Sequence, residues 1–302
     1  MTDITPTRPF RIGTRGSPLA LAQARMTADA LRAAHGWGED RLVLVTVQTS
    51  GDRIQDRALA EIGGKALWTK ELDRALLDGE VDCAVHSMKD VETIRPDSIA
   101  IAAMLPRAAV EDRLLGASSV TELKRDAVVG TSSPRRAAQV RRLNPVVTPV
   151  IFRGNVATRI ARLERGEADA TLLAAAGLDR LGMGDVGVTI PLDQMLPAPA
   201  QGAVGIECRA DDAGARALLA PISHADTFAC VIAERALLLG LGGTCHSPVA
   251  ALARIDGDAI LLKAEIYSAD GAEHVAGSVR LAPGDGAAAT ALGRDLLERA
   301  GP

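Results

Sequence analysis

Three kinds of residue in this chain stand where chemistry could be done. Cys245 lies inside "GLGGTCHSP" (Gly240 to Pro248), a small-residue turn after a helical stretch ending Leu237-Leu238-Leu239, whereas a structural thiol normally occupies an apolar face. A thiol on such a loop is placed to be exposed rather than packed, which raises the question of what it is presented to. "HSMKD" (His86 to Asp90) follows the strand-like run Asp82 to Val85, so Lys89 and Asp90 fall at the carboxyl end of a parallel strand, where open α/β sheets bind ligands. Between Arg135 and Arg165 stand Arg135, Arg136, Arg141, Arg142, Arg153, Arg159, Arg162 and Arg165, with Glu164 the only acid among them. That density suits an anionic small molecule. A solvated Lys89-Asp90 pair and solvated Arg153 and Arg159 are the competing readings.

Other candidates fall away. Cys83 in an apolar strand, Cys208 at a strand end and Cys230 on an apolar helix face read as core thiols, and no CxxC or CxxH spacing supports zinc or any other metal. Each cysteine is expected to be free. "GGKALWTKEL" (Gly63 to Leu72) lacks the GxxxxGK[ST] spacing and a Ser or Thr after Lys65, which excludes a phosphate loop.

The elements that must hold these residues repeat. "RIGTRGSPLALAQ" (Arg11 to Gln23) and "VVGTSSPRRAAQ" (Val128 to Gln139) both read apolar strand, Gly-Thr, Ser-Pro, then a helix with Ala-Gln. Ser17 and Ser133 are expected N-caps, each before a proline at the first helical position. "LLDGEVDCAVH" (Leu76 to His86) and "LERGEADATLL" (Leu163 to Leu173) form a second echo of helix end, Gly turn, Glu-x-Asp and apolar strand. Two related α/β halves follow. Arg15, read in the first turn of one helix, and Arg135-Arg136, opening the other, put cations at a positive dipole end, which a bound anion would explain.

"PAPAQGAVGIECR" (Pro197 to Arg209) reads as a linker and a strand, Ala203 to Cys208, that returns to the first half. From Asp226 the pattern is helix, cysteine loop, three strand-like runs (Val249 to Ile255, Ala259 to Tyr267, His274 to Leu281) and a final helix to about Arg299. The expected domains are 1–104 with 201–219, then 105–200, then 220–302. At 302 residues, 47% hydrophobic, the chain is long enough for two or three packed domains. A net charge of −4 gives no reason to expect nucleic acid or an anionic membrane as partner. Apolar runs fall short of the ~20 residues of a membrane span, and "MTDITPTRPFRIG" lacks a signal-peptide core. A cytoplasmic monomer is the expectation.

"RIGTRGSPLALAQ", "GGKALWTKELDRALL", "DCAVHSMKD", "VGTSSPRRAAQVRR", "FRGNVATRI", "AAAGLDRLG", "PAPAQGAVGIECR" and "GGTCHSP" occur in the order and spacing of hydroxymethylbilane synthases, also called porphobilinogen deaminases. The resemblance covers nearly the whole chain; only Ile255 onward carries no signature. It implies two repeated periplasmic-binding-protein-like α/β domains and a C-terminal α+β domain with a three-stranded antiparallel sheet. It implies a transferase that deaminates four porphobilinogen molecules and joins them into hydroxymethylbilane on a dipyrromethane cofactor. By residue-by-residue resemblance, Cys245 would carry that cofactor by a thioether and Asp90 would be catalytic. Lys65, Ser87, Lys89, Asp90, Thr131, Ser132, Ser133, Arg135 and Arg136 would bind the cofactor. Arg15, Ser17, Arg153, Arg159 and Arg180 would hold substrate carboxylates, and Trp68 would be a mobile cover. Glu61, Glu92 and Thr244 depart from residues common in the family.

Two other classes are weighed. An anion receptor of the periplasmic type would need neither the Cys245 loop nor the third domain. A cysteine hydrolase would need a placed base, and His246 is merely adjacent in sequence.

Overall fold

The repeated Gly-Thr…Ser-Pro stretch folds the same way twice. The computed structural model describes residues 8–48, 66–242 and 248–301, with 66–68 as backbone only. The chain divides into two units, Met1–Arg107 with Ala203–Phe228, and Ala108–Gly202 with Ala229–Pro302.

In the first unit β1 (Phe10–Arg15) leads into α1 (Pro18–His35) and β2 (Leu42–Val47). Ser17 caps α1 by accepting from the Ala20 N–H at 3.3 Å, and Gly36 ends it at φ 66°. Such a cap stabilises a helix by about 1 kcal/mol. Ala20, Ala24, Ala28 and Leu31 follow the 3.6-residue period, so one face of α1 buries against Phe10 and Ile12 of β1. Next come α2 (Ala66–Leu77), β3 (Cys83–Ser87) and β4 (Ile99–Met104), and the later strand β10 (Val204–Arg209) with α6 (Ala213–Leu219). The sheet order is β2-β1-β3-β10-β4. β1 pairs parallel to β2 and β3, and β10 slots antiparallel between β3 and β4. The strand expected to return to the first half does so.

The second unit repeats this plan with β5 (Asp112–Leu115), β6 (Val128–Gly130), α3 (Pro134–Leu143), β7 (Thr148–Val150), α4 (Val156–Glu164), β8 (Ala170–Ala174), α5 (Ala175–Arg180) and β9 (Val188–Thr189). Its order is β7-β6-β8-β5-β9, with β6 parallel to its neighbours β7 and β8 and β5 antiparallel between β8 and β9. The repeat reaches individual hydrogen bonds. Asp82 donates its N–H to Arg11 O (2.9 Å) and takes the Arg11 N–H on its carboxylate (2.8 Å); Asp169 does both with Val128, at 2.9 and 2.7 Å.

The C-terminal part of the second unit holds α7 (Ala225–Gly240) from Ala229 onward, the meander β11 (Val249–Asp256), β12 (Ala259–Tyr267) and β13 (His274–Leu281), and α8 (Gly286–Ala300). All three strands pair antiparallel, as the alternating runs and Gly-containing turns require. Cys230, Leu237, Ile260, Leu262 and Leu296 form its core. Glu234, fully buried on α7, accepts from the Ala200 N–H (2.5 Å) and the Ala253 N–H (2.7 Å), tying the proline-rich segment to β11. Cys83, Cys208 and Cys230 are buried. Among the described residues no single helix is long and apolar enough to cross a membrane.

Candidate active site

Asp90 ends a single 3-10 turn, Met88–Asp90, at the carboxyl end of β3. The turn is seated by its own side chains and by β10. Met88 is buried, its N–H donates to Ala203 O at 3.1 Å, and a Cβ at Gly205 would stand 2.0 Å from the Met88 sulfur. Glycine at that position leaves the room that the Met88 side chain occupies. Val91 is buried, and its N–H closes the turn on Met88 O at 3.2 Å. Asp90 and Lys89 are left half-buried.

A cleft of about 410 Å³, counting its open mouth, is lined by Arg15, Ser17, Gln23, Thr69, Ser87 and Asp90, among others. Four residues expected from sequence, Arg15, Ser17, Ser87 and Asp90, thus share one wall-to-wall space. Gln23 was not anticipated. It is buried and donates to Ser87 Oγ at 2.7 Å; the signal for it was the Ala-Gln shared by both repeats. His86, also on the cleft, puts Nε2 3.2 Å from Glu207 Oε2, with an angle outside hydrogen-bond geometry. Burial pushes the Glu207 carboxyl up, and the His86 ring and the Arg95 guanidinium outweigh it, bringing it down to about 2.

The arginine-rich site belongs to the second unit. Arg135 and Arg136 open α3 behind the Ser133 cap, whose oxygen accepts from the Arg136 N–H at 3.3 Å. Both are buried, and the anion that meets them is the chain's own Asp112, fully buried on β5. Asp112 accepts from Arg135 at 2.8 Å, from Arg136 at 2.6 Å and from Gln201 at 2.8 Å. This corrects the sequence argument: an external anion is not required to explain cations at that helix start. Arg15 corrects it again, because it closes β1 and does not lie in the first turn of α1. One carboxylate between two guanidinium groups still leaves a positive charge in excess. Burial lowers the Arg135 pKa from its ordinary value, and Asp112 offsets only part of that.

Arg153 follows β7, where Gly154 turns the chain at φ 118° and a Cβ would strike Thr158. Arg159 donates to Gly154 O at 2.9 Å, and Arg180, closing α5, donates to Gly202 O at 2.7 Å. Thr131 is buried and its hydroxyl takes the Ser133 N–H at 3.2 Å. Ser132 Oγ, Arg135 Nε, Arg136 Nε, Arg153 Nη1 and Arg180 Nε are buried with no hydrogen-bond partner among the described residues. Unmatched buried donors beside an excess cation fit an acceptor-rich anion such as a carboxylated pyrrole. Cys245, Lys65, Glu61, Thr244 and the Trp68 side chain lie outside the described residues.

Comparison with known proteins shows the family of the chain. A family model for the porphobilinogen deaminase dipyrromethane cofactor binding domain matches residues 10–217, and one for the porphobilinogen deaminase C-terminal domain matches 228–300. The chain belongs to the porphobilinogen deaminase family. It is 59% identical to a porphobilinogen deaminase of Sphingopyxis alaskensis over 99% of this chain and 96% of the relative. A Paracoccus denitrificans porphobilinogen deaminase is 51% identical over 97% and 94%. Among solved structures, the VFT2 domain of Bordetella pertussis BvgS is similar at a TM-score of 0.42 and 14% identity, over 71% of this chain and 85% of that one. The activity is that of a hydroxymethylbilane synthase, a transferase of tetrapyrrole biosynthesis: four porphobilinogen molecules are deaminated and joined into linear hydroxymethylbilane on a dipyrromethane cofactor.

Proposed function

We propose that the two repeated halves divide the reaction, the first supplying the catalytic carboxylate and the second most of the carboxylate-binding arginines. The observation that carries this reading is the setting of Asp90, on a seated turn at a strand end, in a cleft with Arg15, Ser17, Ser87 and Gln23.

Asp90 is the catalytic residue. The substrate ring nitrogen becomes cationic as ammonia leaves, and a fixed carboxylate near it stabilises that state more than the neutral ground state. Arg15, Ser17, Arg153, Arg159 and Arg180 hold the acetate and propionate groups of substrate, which guanidinium forks match two oxygens at a time. When bound, the dipyrromethane supplies a nucleophilic pyrrole end and carboxylates of its own. Lys65, Ser87, Lys89, Asp90, Thr131, Ser132, Ser133, Arg135 and Arg136 hold it, with a carboxylate completing the charge that Asp112 leaves unbalanced. Cys245 is its attachment point and Trp68 covers the site. The protein acts as a cytoplasmic monomer without nucleic-acid or membrane partners.

The intact mass of denatured protein tests the attachment. Wild type is expected heavier than its sequence by two pyrrole units, and Cys245→Ser is expected to lose both the added mass and activity. Cys208→Ser and Cys230→Ser are expected to keep the mass. Added mass that persisted in Cys245→Ser would overturn the assignment.

A further inference from the structure

The turn that carries Asp90 is bracketed by one arginine. Two residues beyond Asp90, the Glu92 carboxylate accepts from Thr69 Oγ1 at 3.0 and 2.9 Å and from Arg95 Nη1 at 3.0 Å. Arg95 reaches further with its other nitrogens. It donates to Asp73 of α2 at 2.5 Å and grips Glu207 of β10 with two bonds of 2.9 Å. Glu207 in turn stands 3.2 Å from His86, the residue before Ser87, where the turn begins. The same guanidinium is therefore linked to the chain on both sides of residues 87–90.

A network of this kind is weak as a source of stability. Arg95 and Glu207 have side chains only 8% and 0% exposed, so both charges carry a desolvation cost that their attraction must first offset. Its geometric content is high. A planar guanidinium with five fixed donors specifies where three carboxylates sit, as a flexible ammonium could not. The turn has need of such specification, because a single 3-10 turn closed by the Val91 N–H is a soft element. We infer that Glu92 and Arg95 are positioning residues for Asp90, fixing the exit of its turn relative to α2 and β10. This rests on the reading of Asp90 as the catalytic carboxylate. Neither residue need touch substrate.

The test is a double-mutant cycle on cofactor-loaded enzyme, loading verified by intact mass, read as the single-turnover rate with porphobilinogen. Glu92 is the handle, since Arg95→Met strands three carboxylates and can unfold the unit. Glu92→Ala is expected to slow turnover by roughly 10- to 100-fold, the scale of a ~1 Å misplacement, with substrate affinity held within about twofold. Glu92→Gln keeps one acceptor oxygen for the Arg95 N–H and an amide N–H that the Thr69 hydroxyl can accept, and should recover most of the rate. In an Asp90→Asn background, Glu92→Ala should cost less than about twofold, because the carboxylate it misplaces is already gone. A merely structural Glu92 would instead multiply its cost onto that of Asp90→Asn, and that result would overturn the inference. So would a Glu92→Ala enzyme that loses affinity and keeps its rate. Near-normal turnover in Asp90→Asn alone would sink the catalytic reading of Asp90, and this inference with it, and is told apart by that single variant.

Discussion

The two halves share a scaffold down to the bonds of Asp82 and Asp169, yet they are filled differently at equivalent positions. Behind the Ser cap, the first half places Leu19 and Ala20 where the second places Arg135 and Arg136. Beyond the strand that follows the Glu-x-Asp turn, the first half breaks into the Met88–Asp90 turn, whereas the second continues straight into α5. A duplicated strand–turn–helix therefore offers two ligand positions at the carboxyl end of each sheet, and each half has used them for a different task. In the division proposed above, one carries a carboxylate for charge that develops during reaction and the other gathers cations for charge that is always there.

Removing the carboxylate tests this contrast hardest. Asp90→Asn keeps the shape of the turn and is expected to lower single-turnover rates of cofactor-loaded enzyme by at least ~10²-fold with folding intact. Asp90→Glu should retain part of the activity. Arginine substitutions in the second half should behave otherwise. Arg153→Lys and Arg159→Lys keep charge but lose the paired donors, so covalent intermediates of particular chain lengths should accumulate in native mass spectra. Arg141→Lys, whose guanidinium bonds Ala269 O at the surface, should trap none. Uniformly slowed chemistry without trapped species would erase the division between the halves.

The scaffold comparison sharpens at Asp82 and Asp169. Burial pushes the Asp82 carboxyl up, but bonds from Arg8 and from Arg11 prevail and bring it down to about 2. A carboxylate depressed in the folded state contributes stability above its unfolded value near 4 that is lost as pH falls toward 2, here roughly 2 kcal/mol. Asp82→Asn should therefore cost about that much at pH 7 and little near pH 2, measured by urea unfolding. Asp169→Ala removes the equivalent backbone-to-side-chain bond at an exposed position and should cost about 1 kcal/mol. The smallest effect is expected at the caps: Ser17→Ala and Ser133→Ala should each cost about 1 kcal/mol or less, and equal losses would confirm that the two turns are equivalent as structure.

Much of this was legible because it rests on local rules. Ser-Pro at a helix start, glycine at a helix end and period-two runs at residues 259–267 and 274–281 name their elements without reference to the rest of the chain, and β12 and β13 begin and end where those runs do. The echo of Gly-Thr…Ser-Pro fixed the equivalence of the halves. What sequence could not show is long-range pairing. Asp112 sits over 20 residues before the two arginines it bridges, and nothing nearby marks it as a counter-ion. Arg95, Glu207 and Asp73 come from three separate stretches that meet only once β10 is in place. Arg15 was misplaced for a related reason: the extra residue in the first repeat lengthens β1 rather than the helix.

The position of β10 has a consequence for how the chain is made. Its neighbours β3 and β4 leave the ribosome early, but the strand that belongs between them follows roughly 100 residues later, a wait of about 5–20 s at ordinary rates of synthesis. The second α/β sheet has no such gap, since all of its strands lie between Asp112 and Thr189. The half translated second can therefore close its sheet first. The half translated first holds β3 and β4 with unpaired edges until Val204–Arg209 arrives, and its exposure to mispairing and to chaperones is set by the length of the domain inserted into it.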